Sequence, residues 1–544
     1  MNNLQDRPHE PRFYLRADAY SEPLILNWYA WPYLLAPVSC AMHFTGRHYR
    51  LMRSFVANSH IHISASKEKS LVGGDFVNCS ADQVEQVQAL ITQLEVDYAD
   101  FFDVRKSITA LNALLEKQQG HSLEKLYGDI PPNLRGYVEL IYDMQHHADF
   151  RLIEGLLFEG DLYKPAAQSL AFGLLSDEGE RPFVLSSPRL PDPHSLHFNT
   201  AFANPTIDRL FAARTQGLTH SELRALLAEM PAQGGLDAMA LFTEAAPERR
   251  GQSRSTPMRI RYLGHAGLLI ETDQLCVAID PVIACRASGG EGGAPSFADL
   301  PDRLDYICIT HTHMDHMCIE TLLELRHKTG QVLVPKNSGG NIADPSMKLM
   351  LKSLGFSVQE FDEMEEITVG AMRIKAIPFL GEHADLNVRS KTAWCFTFQD
   401  FTVFCGADSS CIDPVLYERI ARAVGKIDLL FLGMECVGAP MSWLYGALFT
   451  KPVARAINES RRFNGADFAS AQRMIDIMRP TEVAIYAMGM EPWFKYFMGT
   501  DYDVNTHQIE QSDRLLAYCS AAGIHAERLY GSRQWDLECR ATPA

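Results

Sequence analysis

The chain of 544 residues carries 12 cysteines and no C-x-x-C pair among them, which argues against a zinc knuckle or a redox dithiol. Several, including Cys276, Cys308 and Cys405, sit inside apolar runs. That placement predicts reduced core residues of a cytoplasmic protein and not a disulfide framework. No apolar run approaches the length that crosses a bilayer, and residues 1–16 show no signal-peptide core, so no membrane association is expected. Positive charge is short as well: 50 Lys and Arg stand against 67 Asp and Glu, a net −17. A polyanion, nucleic acid above all, is thereby disfavoured as the main partner. What is present is ordinary for a soluble globular protein, 47% hydrophobic and 22% charged, and the length suits two domains.

The first 245 residues lack any motif that translates into chemistry. Residues 29–37 (YAWPYLLAP) read as core or interface. Residues 80–118 predict two consecutive helices, with Ser80 or Asp82 as N-cap and Val84, Val87, Leu90, Ile91 and Leu94 at helical spacing. Residues 140–158 form a further apolar-periodic stretch of helical type, in which His146 and His147 read as exposed or satisfied side chains. Residues 182–193, with four prolines, predict a loop, and 221–230 a short helix. The expectation is an α-rich mixed α/β domain over 1–246 that serves dimerisation or partner docking. Residues 247–257 (PERRGQSRSTP) have the composition of a linker, and 258–544 form a second domain. Arg249, Arg250, Arg254, Arg259 and Arg261 make the densest basic cluster, either a docking patch for an acidic partner or a solvated linker.

The second domain is organised around 305–325, DYICITHTHMDHMCIETLLEL. Residues 306–309 read as a buried strand, and Ile319, Leu322 and Leu323 start a helical rhythm. Between them His311, His313, Asp315 and His316 place four metal-competent side chains within six residues. His311 and His313, two apart on extended chain, point the same way and suit one metal. Asp315 and His316, where the chain turns into the helix, suit a second. Three short strands are expected before this segment, at 259–263, 268–271 and 275–279. Asp280 closes the third, and His265 falls in the preceding turn with a structural role expected.

A dinuclear centre needs further ligands, and three strand candidates end in carboxylates: 374–380 before Gly381-Glu382-His383, Phe401–Cys405 before Gly406-Ala407-Asp408, and 428–432 before Gly433-Met434-Glu435. A carboxylate at the end of a buried apolar run is costly unless paired or bound to a cation. Glu382 and His383 compete, because neighbours on extended chain face opposite ways. With Glu382 the set is His311, His313, Asp315, His316, Glu382, Asp408 and Glu435, an oxygen-rich group that suits iron better than zinc. The late strand Glu482–Tyr486 ends in Ala-Met-Gly-Met-Glu-Pro without a histidine. Met441, Trp443, Leu444 and Tyr445 are candidates for a substrate pocket or for ordinary core.

The H-x-H-x-D-H motif resembles that of the metallo-β-lactamase fold from about Met258 onward, which implies a C-terminal αββα sandwich with Asp280 bracing the histidine loop. With the GEH, GAD and LGMEC segments and the long N-terminal domain, the chain resembles the diiron β-hydroxylases of nonribosomal peptide biosynthesis. That resemblance implies two iron ions, with His311, His313 and Glu382 on one, Asp315, His316 and Glu435 on the other, and Asp408 bridging. It implies a monooxygenase that uses O2 and an external reductant to hydroxylate Cβ of an amino acid held as a thioester on a peptidyl carrier domain. A homodimer joined through the N-terminal domain is also implied. The alternative is a dinuclear zinc hydrolase of the same fold, which needs only a metal-activated water.

Overall fold

A computed structural model describes residues 10–538 apart from 69–70, 177–180, 252, 284, 286–293, 500–501 and 504. Residue 252 of the expected linker, Cys539 and residues 1–9 thus lie outside the described part. Among the described residues no helix is long and apolar enough to cross a membrane, and the described cysteines are free thiols.

Two seven-stranded sheets form the centre of the C-terminal half. The first runs, edge to edge, Val358–Phe361, Thr329–Pro335, Leu304–Cys308, Cys276–Ile279, Gly267–Thr272, Met258–Gly264 and Arg533–Leu537. The second runs Glu366–Val369, Met372–Ile377, Ala393–Phe398, Phe401–Cys405, Leu429–Gly433, Glu482–Tyr486 and His525–Arg528. In each, an antiparallel part gives way to parallel strands joined through helices, as crossover connections require. Strand periodicity sorts the side chains: Ile260, Tyr262, Leu268, Ile270 and Val277 meet Phe396, Val403, Phe431 and Ala484 between the sheets. Leu263, Leu269 and Ala278 face the other way, toward the outer helices and the N-terminal half. Helices Pro414–Val424, Phe468–Met478 and His507–Ala521 cover the outside of the second sheet. The result is an αββα sandwich.

The N-terminal half carries an antiparallel sheet ordered Trp28–Tyr29, Ala19–Ile25, Gln168–Leu174, Ser195–Phe198 and Ala232–Gly234. Helices Val84–Asp97 and Ala99–Leu115 occupy the expected 80–118 stretch. Ser80, not Asp82, sits at the N-cap, in a reciprocal capping box with Gln83. Residues 29–37 are buried core. Helix His220–Ala228 starts from a capping box of Thr219 and Glu222. The helical reading of 140–158 is corrected: the chain forms a hairpin, Val138–Tyr142 against Ala148–Leu152, then a short helix Glu154–Glu159. Asp143 decides it, because its Oδ1 accepts from the backbone N–H of Gln145 and of His147, fixing a turn with His146 at φ 63°.

One contact between the halves positions the site. Helix Ile319–Leu325, which follows the histidine cluster directly, is buried along its whole length. Its Glu320 accepts from Tyr29 Oη at 2.9 Å and pairs with Arg181 at 2.8 Å. Its Glu324 accepts from Ser21 Oγ at 3.0 Å and pairs with Arg214 at 2.6 Å. Arg181 also joins Glu22, which Arg189 holds from the other side at 2.8 Å. The N-terminal half therefore clamps the element that carries the metal loop.

Candidate metal centre

The loop leaving strand Leu304–Cys308 is pinned before it reaches its first histidine. Asp280, fully buried, accepts from Thr310 N at 2.8 Å and from Thr310 Oγ1 at 2.5 Å. The same carboxylate lies 2.8 Å from His316 Nδ1. Nδ1–H therefore donates to Asp280, and His316 Nε2 is left as a lone-pair donor facing away, the arrangement a metal-ligating imidazole needs. Asp280 thus braces the histidine loop, in the role expected of it.

Three groups of ligand-competent atoms form beyond this brace: His311 with His313 and Glu382; His311 with His316 and Asp408; and His265 with Asp315 and His316. His313 Nδ1 lies 2.8 Å from Glu382 Oε1, and His316 Nε2 lies 2.9 Å from Asp408 Oδ2. Asp408 Oδ2 is also 3.7 Å from His311 Nε2, so it stands between the first two groups. His311 Nε2, His313 Nε2, His316 Nε2 and Asp408 Oδ1 are buried without a hydrogen-bond partner. Orphaned imidazole nitrogens beside carboxylates are an unstable arrangement for a core and a suitable one for two cations. The electrostatics agree: burial pushes Glu382 up to about 7 and holds His311 well below the usual histidine range. A bound cation would restore the Glu382 carboxylate and would reinforce the neutral His311 imidazole, the form that ligates a metal.

His265 is a different case. Gly489 N–H donates to its Nδ1 at 3.0 Å, so the ring carries its proton on Nε2 and donates it to Asp315 Oδ2, also at 3.0 Å. A ring in that tautomer orients Asp315 and has no lone pair left for a metal. The strand end without a histidine, after Tyr486, supplies Gly489 for this purpose, and Tyr486 Oη accepts from Ala407 N beside Asp408. Several non-glycine residues of these strand ends, His265, Asp280, Glu382, Ala407 and Ala487, have positive φ. Local strain of this kind collects where neighbours over-determine a loop.

Glu382 and His383 separate cleanly. Glu382 joins His311 and His313, whereas the His383 ring stacks on His313 at 4.7 Å and 24° with both nitrogens unpartnered. Glu435 differs from the expectation that made it a ligand. It belongs to none of the three groups, and its oxygens are held by protein donors: Tyr502 Oη on Oε2, Gln508 Nε2 on Oε1 at 2.8 Å, and Val437 N on Oε1 at 3.3 Å. Burial raises its pKa. His265 thus has the structural role expected of it, while sequence reading missed Tyr502 and Gln508, which carry no motif.

A cavity of about 350 Å³ opens on these groups, with His313, Asp315, Glu382 and Glu435 on one side. Its other walls come from both halves and are mainly aromatic and apolar, with Trp31 and Phe183 from the first and Trp443, Leu444, Phe463 and Phe497 from the second, beside Arg47 and Arg462. Trp443 and Leu444 thus face the cavity. Met441 and Tyr445 are buried, Tyr445 accepting from Tyr33 Oη at 3.2 Å. The basic cluster at 249–261 is consumed locally. Arg259 and Arg261 are buried on Glu271, Arg249 meets Asp302 at 2.7 Å, Arg250 meets Glu248 at 3.2 Å, and Arg254 pairs with Asp273.

An αββα sandwich with a dinuclear His/carboxylate site at its strand ends defines a metallo-β-lactamase-fold metalloprotein, and residues 276–448 match the beta-lactamase superfamily domain. Residues 14–246 match the diiron non-heme beta-hydroxylase N-terminal domain. Over 97% of this chain and 100% of its relative, the sequence is 35% identical to the 4-amino-L-phenylalanyl-[CmlP-peptidyl-carrier-protein] 3-hydroxylase of Streptomyces venezuelae. The crystal structure of CmlA, a diiron beta-hydroxylase from Streptomyces venezuelae, superposes with a TM-score of 0.90 at 34% identity, covering 97% of this chain and 100% of that one. The chain belongs to the diiron β-hydroxylase family. Its cofactor is accordingly a pair of iron ions, which the orphaned nitrogens and the carboxylates of this site fit.

Proposed function

We propose that this chain is an O2-dependent monooxygenase that hydroxylates Cβ of an amino acid carried as a thioester on a peptidyl carrier domain of a nonribosomal peptide synthetase. His311, His313 and Glu382 would hold one iron, Asp315 and His316 the other, with Asp408 within reach of both groups. The observation that carries the reading is Asp408, whose one carboxylate lies against imidazoles of both groups. Three imidazoles and three carboxylates suit iron, and the hydrolase-type histidine is absent from the strand end at Gly489. The diiron centre supplies the oxidising power: O2, two electrons and two protons turn C–H into C–OH and water. The protein's task is orientation. Asp280 and His265 fix His316 and Asp315, and the aromatic walls receive the acyl side chain and keep water away.

The family relation supports the carrier-bound substrate, because the Streptomyces venezuelae hydroxylase of that name acts on an aminoacyl carrier protein. The chain's two parts, 1–246 and 258–544, then divide the work: the first completes the cavity wall and serves docking and dimerisation, the second holds the metals. The free thiols suit a cytoplasmic enzyme. The test is to load iron, supply reductant and O2, and weigh carrier proteins charged with different amino acids. A gain of one oxygen atom on a carrier-bound amino acid is expected, with two irons per chain. Zinc in the isolated protein and hydrolysis without reductant would instead establish the hydrolase.

A further inference from the structure

Glu435 is a carboxylate on the cavity wall beside His313, Asp315 and Glu382. Every other acid on that wall has a histidine: Glu382 meets His313, and Asp315 meets His265. Glu435 has three neutral donors, Tyr502, Gln508 and the Val437 N–H. Among the described residues no Arg, Lys or His pairs with it. The two guanidinium groups of the wall are engaged elsewhere, Arg47 on Asp75 at 2.9 Å and Arg462 on Glu459 at 2.7 Å. Its side chain is therefore held between three neutral donors, no described protein cation pairs with it, and one lone pair of Oε2 remains. Partly buried carboxylates of this kind favour a cation.

We infer that Glu435 binds the α-ammonium group of the carrier-bound amino acid and so sets which hydrogen of Cβ meets the metal centre. The inference rests on the carrier-bound reading of the site. An aminoacyl thioester has lost its carboxylate charge and keeps one positive charge, on nitrogen. That nitrogen is two bonds from Cβ, so a hydroxylase must seat it next to its metal ligands, where Glu435 stands. Two points, the ammonium on Glu435 and the side chain among Trp443, Phe463 and Phe497, together with the thioester tether, fix the orientation at Cβ. Tyr502 and Gln508 are positioning residues, since they hold the carboxylate and do not touch the substrate.

The test compares carrier protein loaded with L-phenylalanyl and with 3-phenylpropanoyl, which differ only in the α-amino group. The iron-loaded protein is expected to bind the aminoacyl form roughly ten- to a hundredfold more tightly, the range of a charge-assisted hydrogen bond. Glu435→Gln keeps shape and iron content and loses that preference, binding both forms equally. Tyr502→Phe reduces the preference while retaining part of it. Equal binding of the two forms by the unaltered protein overturns the inference, and so does loss of iron in Glu435→Gln, which would make Glu435 a ligand. Hydroxylation of carrier-bound substrates without amine preference defeats this inference alone; absence of carrier-dependent oxygen insertion across all charged carriers defeats the reading beneath it.

Discussion

On one side of residues 311–325, the buried carboxylates Glu320 and Glu324 meet guanidinium groups, Arg181 and Arg214, and Glu22 nearby meets Arg181 and Arg189. On the other side, Asp315, Glu382 and Asp408 meet only imidazoles, whose outer nitrogens have no partner. Two ways of burying negative charge thus lie on the same loop-and-helix segment. In the clamp three arginines balance three glutamates within the protein. In the site the carboxylates pair with imidazoles, and the nearby Lys391 donates to the Gly381 carbonyl and pairs with none of the three, which leaves them for two metal ions. The comparison separates a structural ion-pair network from a metal centre without reference to any ion.

The sharpest way to break the comparison is to remove a site carboxylate. Asp408→Ala should lower bound iron from two to one or fewer per chain, measured by elemental analysis, and reduce hydroxylation by more than roughly a hundredfold. Its thermal unfolding should move little relative to the metal-free wild type, because His316, which loses Asp408, keeps Asp280 at 2.8 Å. Asp280→Asn acts one shell out: it loses the acceptor that sets the His316 tautomer, and iron affinity should fall roughly ten- to a hundredfold. An Asp408→Ala protein that retained both irons would end the shared-carboxylate assignment.

The clamp should respond in the opposite sense. Arg214→Met strands Glu324 with only Ser21 and also leaves the carbonyls of Arg16 and Ala19 without their donor. The expected loss is about 3–5 kcal/mol, read from denaturant midpoints of the metal-loaded protein. Adding Glu324→Gln should recover part of it, because the buried charge is then gone. Iron content should stay at two per chain. If iron falls in step with stability, the clamp and the site are one unit and the contrast fails.

Buried imidazoles offer a finer contrast. His43 in the N-terminal half, 1% exposed, has both ring nitrogens unpartnered, where His311, His313 and His316 have only Nε2 so, and no carboxylate pairs with it. Burial, with Arg47 and Arg105 nearby, depresses it from an ordinary 6.5 to about 3. Between those values the unfolded chain binds a proton that the folded one refuses, so stability rises with pH there and is lost as pH falls below about 6.5. At pH 5 the cost is roughly 2 kcal/mol. His43→Leu should flatten this acid limb in equilibrium unfolding between pH 7 and 5. A wild-type stability that is level across that window would show that His43 takes up a proton in the folded state.

Much of the site was legible because its chemistry is local: His311, His313, Asp315 and His316 follow one strand, and Glu382 and Asp408 end two others. Individual strands were legible from strand-length apolar runs, and the sandwich from the resemblance carried by the H-x-H-x-D-H motif. What escaped was non-local. Glu320 and Glu324 carry no motif, and only the fold shows that Arg181 and Arg214 arrive to bury them. Glu435 ends a buried strand just as Asp408 does, and its different fate depends on Tyr502 and Gln508, far along the chain. The hairpin at 138–152 was hidden because its apolar residues also fit a helical period, while the Asp143 turn that decides the matter is a single side chain.

The smallest effect is expected at the basic cluster, and it tests whether charge density in sequence signifies a docking surface. A free patch would steer an acidic carrier domain, raising its association rate at low salt. Here the guanidinium groups are already matched: Arg259 and Arg261 lie inside the fold on Glu271, Arg249 and Arg254 sit on aspartates, and Arg250 meets Glu248. Each local pair cancels most of the field a partner would feel beyond a Debye length of about 8 Å. Arg250→Ala, a change at an exposed side chain, should leave stability unchanged within the error of denaturant unfolding. Its carrier-dependent turnover at low salt should match the wild type within about twofold. A larger drop that vanished when salt was raised would be the signature of steering, and would place carrier docking at this junction despite the internal pairing.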